Sequence, residues 1–193
     1  MLGSMLDLDD LRDIKPGFIR PISRDEYWQL AKLGAFEDEN VELLRGVIVT
    51  MSPEDIRHAD PIVWLMRRLN RALDDDFVVR PKMPFEALDD SVPQPDITIT
   101  AEPLGRHPST ALLLIEVSNG SLRKDRRVKL SIYAEAGVPE YWIVNVSKPG
   151  TIEVEVYTQP SAGGYAKLET LRDGDVLRPL QVPIEIPVAD LPR

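Results

Sequence analysis

The chain contains no cysteine, so disulfide bridges, thiolate metal sites and thiol nucleophiles are excluded together. It contains only two histidines, His58 and His107, well separated along the sequence. Two isolated histidines make neither a zinc site nor a nucleophile–base pair. There is no uninterrupted run of about eighteen apolar residues, which argues against a transmembrane helix and a membrane partner. No charged-then-apolar signal segment opens the chain, and a cytoplasmic protein is the simplest reading. Gly105, Gly120 and the Gly163-Gly164 pair form no phosphate-loop fingerprint. An excess of positive charge is missing as well. The formal net charge of -9 weakens any case for broad electrostatic attachment to nucleic acid.

What is present is a chain of 193 residues, 43% hydrophobic and 28% charged, which fits one globular domain over residues 1–193. Met1-Leu-Gly-Ser-Met5 resembles a cloning remnant ahead of a native start, so residues 1–4 are set aside. Ser23-Arg-Asp-Glu26 is a capping-box pattern and Gly34 a natural stop, which predicts a helix over Arg24 to Leu33. Glu42 to Thr50 reads as a hairpin turning at Arg45-Gly46. Ser52-Pro-Glu-Asp55 is a second helix start, with Pro53 at the first helical position and the helix running to about Leu73.

Strands are expected over Phe77 to Arg80, Asp96 to Thr100, Ala111 to Val117 and Glu140 to Asn145, with a short extended piece from Pro84 to Leu88. A helix from Leu122 to Ala136 is closed by Gly137 and Pro139. Thr151 to Thr158, Tyr165 to Thr170 and a segment around Val176 make a C-terminal antiparallel meander. Pro183, Pro187 and Pro192 make residues 183–193 an extended tail. The pattern is α/β: one mixed β-sheet flanked by α-helices.

Inside the oily stretch Ala111-Leu-Leu-Leu-Ile-Glu-Val117 stands Glu116. An ionised carboxylate there is costly unless a cation compensates it, either a paired side chain or a metal. If the 96–100 and 111–117 segments are neighbours, Asp96 and Glu116 project near one edge of the sheet. Mg²⁺ is usually held by one or two such carboxylates plus water and substrate phosphates. The plainer alternatives are that Asp96 caps a turn after Pro95 and that Glu116 pairs with an arginine.

On the following helix Asp125, Lys129 and Tyr133 are spaced by four and share a face. Lys129 there suits an amine that steadies an attacking water, or else a solvated partner of Asp125. Arg123, Lys124, Arg126, Arg127 and Lys129 form a basic cluster within seven residues. Glu42 reads equally as a metal-side acid and as an ordinary exposed one. His58 reads as a helix-surface residue or as a group near phosphate. Trp142, Tyr141 and Trp64 read as core.

These residues resemble the Uma-two family of restriction endonuclease-like proteins, within the PD-(D/E)xK nuclease superfamily. The resemblance runs from about Ser23 to Val156. It is carried by Glu42-Leu-Leu-Arg-Gly-Val-Ile-Val-Thr-Met-Ser-Pro53, His58, Pro95-Asp96, Ile115-Glu116-Val117, Asp125, Lys129, Tyr133 and Gly137-Val-Pro-Glu-Tyr-Trp142. It implies a restriction endonuclease-like fold and a Mg²⁺- or Mn²⁺-dependent endonuclease acting on DNA. By position, Asp96 resembles the aspartate of the PD element and Glu116 the acid of (D/E)xK. The superfamily's lysine ordinarily stands two residues after that acid, where this chain has Ser118. Lys129 resembles a lysine that has migrated to the next helix. Glu42 matches an acid common in the family's first strand region, where it holds or orients metal.

The leading expectation is therefore catalysis by Asp96, Glu116 and Lys129. Metal would be held by Asp96, Glu116 and Glu42, and the DNA backbone by Arg123, Lys124, Arg126 and Arg127. His58, Asp125 and Tyr133 are accessory. The displaced lysine and the net charge also fit a catalytically silent nuclease fold that binds nucleic acid or protein. A structural homodimer through the C-terminal meander is a third reading, and a dimer would suit double-strand cutting.

Overall fold

The computed structural model describes residues 20–51 and 55–193. The expected remnant at residues 1–4 and the start signal at Ser52 and Pro53 lie outside the described residues. Helix α1 (Arg24–Lys32) begins as expected: Ser23 Oγ accepts from the Glu26 backbone N–H while Glu26 reaches back to the Ser23 N–H. Strands β1 (Val41–Leu44) and β2 (Val47–Thr50) form an antiparallel hairpin. Its turn places Arg45 at φ 51° and Gly46 at φ 77°. Positive φ at both central residues is the geometry that matches strand twist, and Arg45 accepts it despite its side chain.

Helix α2 (Ile56–Ala72) is capped by Asp55, whose carboxylate accepts from the His58 N–H. Its buried stripe of Ile62, Leu65 and Leu69 lies on one face of the main sheet. A fully buried leucine contributes about 1.5–3 kcal/mol, so this stripe holds α2 firmly.

The main sheet has six strands in the order β3-β4-β5-β6-β7-β8. They are β3 (Val78–Pro81), β4 (Ile97–Thr100), β5 (Leu113–Ser118), β6 (Glu140–Asn145), β7 (Glu153–Ser161) and β8 (Gly164–Leu171). All neighbours are antiparallel except β5 and β6, which are parallel. The crossover between those two is residues 122–135, labelled α3 as a whole. It consists of Leu122–Lys124, a π-helical segment Asp125–Lys129 and Leu130–Glu135. A continuous regular helix was expected here. The Leu130 N–H instead bonds the Asp125 carbonyl five residues back, a wider turn common at functional sites.

Each face of the sheet carries its own core. On the α2 side Leu113, Ile115, Val117, Trp142 and Val144 pack under Leu65 and Leu69. On the α3 side Leu114, Tyr141 and Ile143 pack under Ile132 and Tyr133. Because both faces are covered, all four residues of β4 are buried, including Thr98 and Thr100. The alternation Ile-Thr-Ile-Thr therefore separates two interiors rather than inside from outside.

Pro84 to Leu88 lies outside the sheets, with a single bridge between Leu88 and Ser91. Two further expectations are corrected. Val176–Leu177 (β9) does not extend the meander but pairs with Ile186–Pro187 (β10). Residues 183–193 are not merely an extended cover. They contain β10 and a one-turn 3-10 helix, Val188–Asp190, and bury Ile184, Ile186, Val188 and Leu191. Among the described residues no helix is long and apolar enough to cross a membrane.

Candidate active site

The register of β4 on β5 pairs Ile97 with Ile115 and Thr98 with Leu114. One step further along the same register brings Asp96 opposite Glu116, on the face that α3 covers. Two like charges directly opposite repel, and both are nearly out of water, at 6% and 4% exposure. The Asp96 Oδ2 accepts from the Val117 N–H at 2.7 Å and lies 3.3 Å from His58 Nε2. Asp96 is thus no turn cap after Pro95, and His58 is turned into the site rather than lying on a free helix surface.

Glu116 pairs with a lysine, not an arginine. Lys129 Nζ donates to Glu116 Oε1 at 2.8 Å, and the Tyr133 hydroxyl donates to the same oxygen at 2.7 Å. Lys129 is 3% exposed, so the solvated alternative fails. The crossover explains the reach. A helix leaving the C-terminal end of β5 to return parallel as β6 must pass back over the sheet, which carries Lys129 and Tyr133 above Glu116. Ser118, where the superfamily lysine ordinarily stands, is buried, with its hydroxyl 3.3 Å from Ser121 Oγ.

Glu42 is neither exposed nor in the cleft wall. It is fully buried, accepting from Lys124 Nζ at 2.7 Å, from the Gln94 N–H at 3.3 Å, and lying 3.1 Å from Lys129 Nζ. Both its oxygens are engaged by protein donors, and one of them lies against Lys129. Gln94 was not foreseen: its carbonyl accepts the remaining, weakest Lys129 contact at 3.4 Å. A backbone role leaves no mark in residue type, so nothing in Pro93-Gln94-Pro95 signals it.

The electrostatics follow from charge counting. Glu42, Asp96, Glu116 and Asp125 surround Lys129 and Lys124, leaving acid in excess. Burial, opposed by Lys129 and reinforced by Asp96, Asp125 and Glu42, pushes the Glu116 carboxyl up to about 8. Burial likewise raises Asp125, although Lys129 and a hydrogen bond from Ser121 oppose it. For Lys129 burial works against the charge, but Glu116, Glu42 and Asp125 outweigh it and raise the ammonium. Burial would raise Glu42, yet Lys129 and Lys124 hold it below the ordinary carboxylate range. Burial and the acid excess therefore favour a charged lysine and work against a full negative charge on Glu116.

Asp96, Glu116, Asp125, Lys129 and His58 line a cleft of about 900 Å³. Among the described residues no three His, Asp or Glu side chains already stand as a ready metal cage. The hydrogen bonds of Asp96 and Glu116 engage Oδ2 and Oε1 alone among the described residues. Asp96 Oδ1 and Glu116 Oε2 thus remain as hard oxygen donors beside an acid excess. That donor set fits Mg²⁺ or Mn²⁺, which need only one or two carboxylates from the protein.

The basic cluster divides in two. Arg123 and Arg127 line the cleft and are exposed, whereas Arg126 forks onto Glu155 of β7, away from it. Lys124 lines the cleft but is committed to Glu42. If the cleft takes a nucleic-acid backbone, Arg126→Ala should leave affinity for it within about twofold of wild type. Arg123→Ala and Arg127→Ala should then each weaken it more, since these two exposed cations line the cleft. A filter-binding titration at fixed salt checks this, and equal losses in all three would refute the division.

The family model of Uma2, described as "Putative restriction endonuclease", matches residues 24–189. No curated protein matches the chain. Among solved structures, the fold is similar to a protein from Anabaena variabilis described as a putative nuclease of the DUF820 group. The TM-score is 0.68 at 15% identity, covering 88% of this chain and 97% of the other. At that identity the likeness speaks for the fold alone.

Proposed function

We propose that this chain, which belongs to the Uma2 family, is a divalent-metal-dependent endonuclease of the PD-(D/E)xK type that hydrolyses DNA phosphodiester bonds within a single domain. One observation carries this reading: two facing buried carboxylates, Asp96 and Glu116, share a cleft with a buried lysine whose amine lies 2.8 Å from one of them. Asp96 and Glu116 would hold Mg²⁺ or Mn²⁺. When bound, such an ion acidifies water and neutralises phosphate charge.

The remaining work falls to the protein's own groups. Lys129 is held by Glu42 and Glu116 and can yield its long contact to Gln94 O, aiming that N–H at the attacking water or a phosphate oxygen. Preorganised charge of this kind acts without reorganisation when negative charge develops. Tyr133 fixes the rotamer of Glu116, and Glu42 fixes Lys129. Arg123 and Arg127 would bind the backbone without reading sequence.

The direct test is incubation of purified protein with single-stranded and duplex DNA in Mn²⁺ and Mg²⁺; absence of cutting of either form in both metals, across pH, rejects the reading. Metal binding has its own readout. Mn²⁺ should raise the Tm of the wild type by mass action, and Asp96→Asn should remove most of that shift. A ligand must shed its proton to bind, so Mn²⁺ affinity should climb as pH rises toward about 8, the Glu116 value. Calorimetry in two buffers of different ionisation enthalpy detects the released proton. A silent module would instead bind DNA without regard to metal.

A further inference from the structure

Three observations bear on which form of DNA enters the cleft. The first is depth. Asp96, Glu116, Asp125 and Lys129 are 6%, 4%, 1% and 3% exposed. A duplex carries its phosphates on the outside of a wide, stiff cylinder, and a second strand flanks every one of them. Groups sunk this far are reached by a single flexible backbone more easily than by a cylinder.

The second is a bridge between the cleft walls. Asn119 Nδ2, in the loop after β5, donates to Asp55 Oδ2 at the head of α2, at 2.7 Å. Both residues line the cleft. The contact joins the head of α2 to the loop after β5 across one end of the cleft. The third is the small cationic footprint. Of the arginines and lysines lining the cleft among the described residues, Lys124 and Lys129 are spent on Glu42 and Glu116. Arg123 and Arg127 remain, four residues apart on one helix, which suits neighbouring phosphates of one strand. On the opposite wall Asp55 is balanced by Arg57 at 3.5 Å, so that pair adds no net positive charge for a second strand.

We infer that the substrate is unpaired DNA, a single strand or a melted segment, and that intact duplex is excluded until it opens. This rests on the nuclease reading for the identity of the polymer as DNA. The cleft then takes one backbone, with the two arginines outside and the acids below.

The test is a binding measurement in chelator, where nothing is cut. Fluorescence anisotropy compares a labelled single-stranded deoxyoligonucleotide, its blunt duplex and the matching RNA, each titrated with the full chain. The single strand should bind at least about tenfold tighter than the duplex. Its salt slope, at about 0.7 per phosphate contact, should be near -1.4 for two arginines and fall toward about -0.7 in Arg123→Ala. Asp55→Ala combined with Asn119→Ala should narrow the preference by loosening the walls. Duplex bound as tightly as the single strand, a slope beyond about -4, tighter RNA, or no binding to any probe would each overturn the inference. A preference unmoved by the double variant would overturn the role of the bridge. Failure to cut in Mn²⁺ with single-strand preference intact would defeat the nuclease reading and leave this one standing.

Discussion

Lys129→Met is expected to abolish cleavage and to destabilise the protein by about 3–5 kcal/mol near neutral pH, the usual cost of removing one partner from a buried ion pair. Methionine matches the stem of the lysine, so the loss comes from charge rather than from a cavity. Without the ammonium, Glu42 and Glu116 lose their shared donor, and Asp96 and Asp125 lose the nearest compensating charge. Lys124 still reaches Glu42, but nothing replaces the contact to Glu116 except the Tyr133 hydroxyl. The site can recover only by taking up protons. The stability deficit should therefore shrink as pH falls from about 8 toward about 5. Urea unfolding of both proteins across that range measures it. A deficit that is constant with pH, or active Lys129→Met protein, would refute the central place given to this amine.

Glu116→Gln should cut the cleavage rate by a factor on the order of 10³, the size seen when one electrostatic stabiliser is lost from a catalytic site. It should do so while keeping the fold. Glu42 remains within 3.1 Å of Lys129, and glutamine preserves the shape around Tyr133. The stability effect has a definite sign. The folded protein holds the Glu116 proton up to about 8, whereas the unfolded chain releases it in the ordinary carboxylate range. The stability linked to that proton is complete below the ordinary range and is lost as pH rises through about 8. Glu116→Gln removes this dependence, so its Tm should fall less than that of the wild type between about pH 5 and about pH 8. Glu116→Ala should lose cleavage equally but also open a gap beneath Tyr133. Full activity in either variant would sink the assignment.

How far these residues were legible along the chain varies with the range of the force involved. The capping box at Ser23 and the turn at Arg45-Gly46 were readable because each depends on contacts within a few residues. Glu116 stood out because a charge among apolar neighbours is anomalous wherever it ends up. Helix α2 was placed correctly at its C-terminal end, near Leu73, where the apolar stripe that covers the sheet runs out. Glu42 was ambiguous for a sharper reason. Whether an acid on a short strand meets water or two lysines depends on a helix some eighty residues later.

Periodicity, caps and the misplaced acid thus belonged to the linear chain, because near neighbours and the cost of burying charge act wherever the segment goes. The side to which Arg126 turns, the π-helical turn carrying Lys129, the seat of Glu42 behind that lysine and the Asp55–Asn119 bridge arose only on folding. Each depends on the parallel crossover from β5 to β6 and on the strand register that sets Asp96 against Glu116. Those are distances between segments remote in sequence, which no local preference encodes.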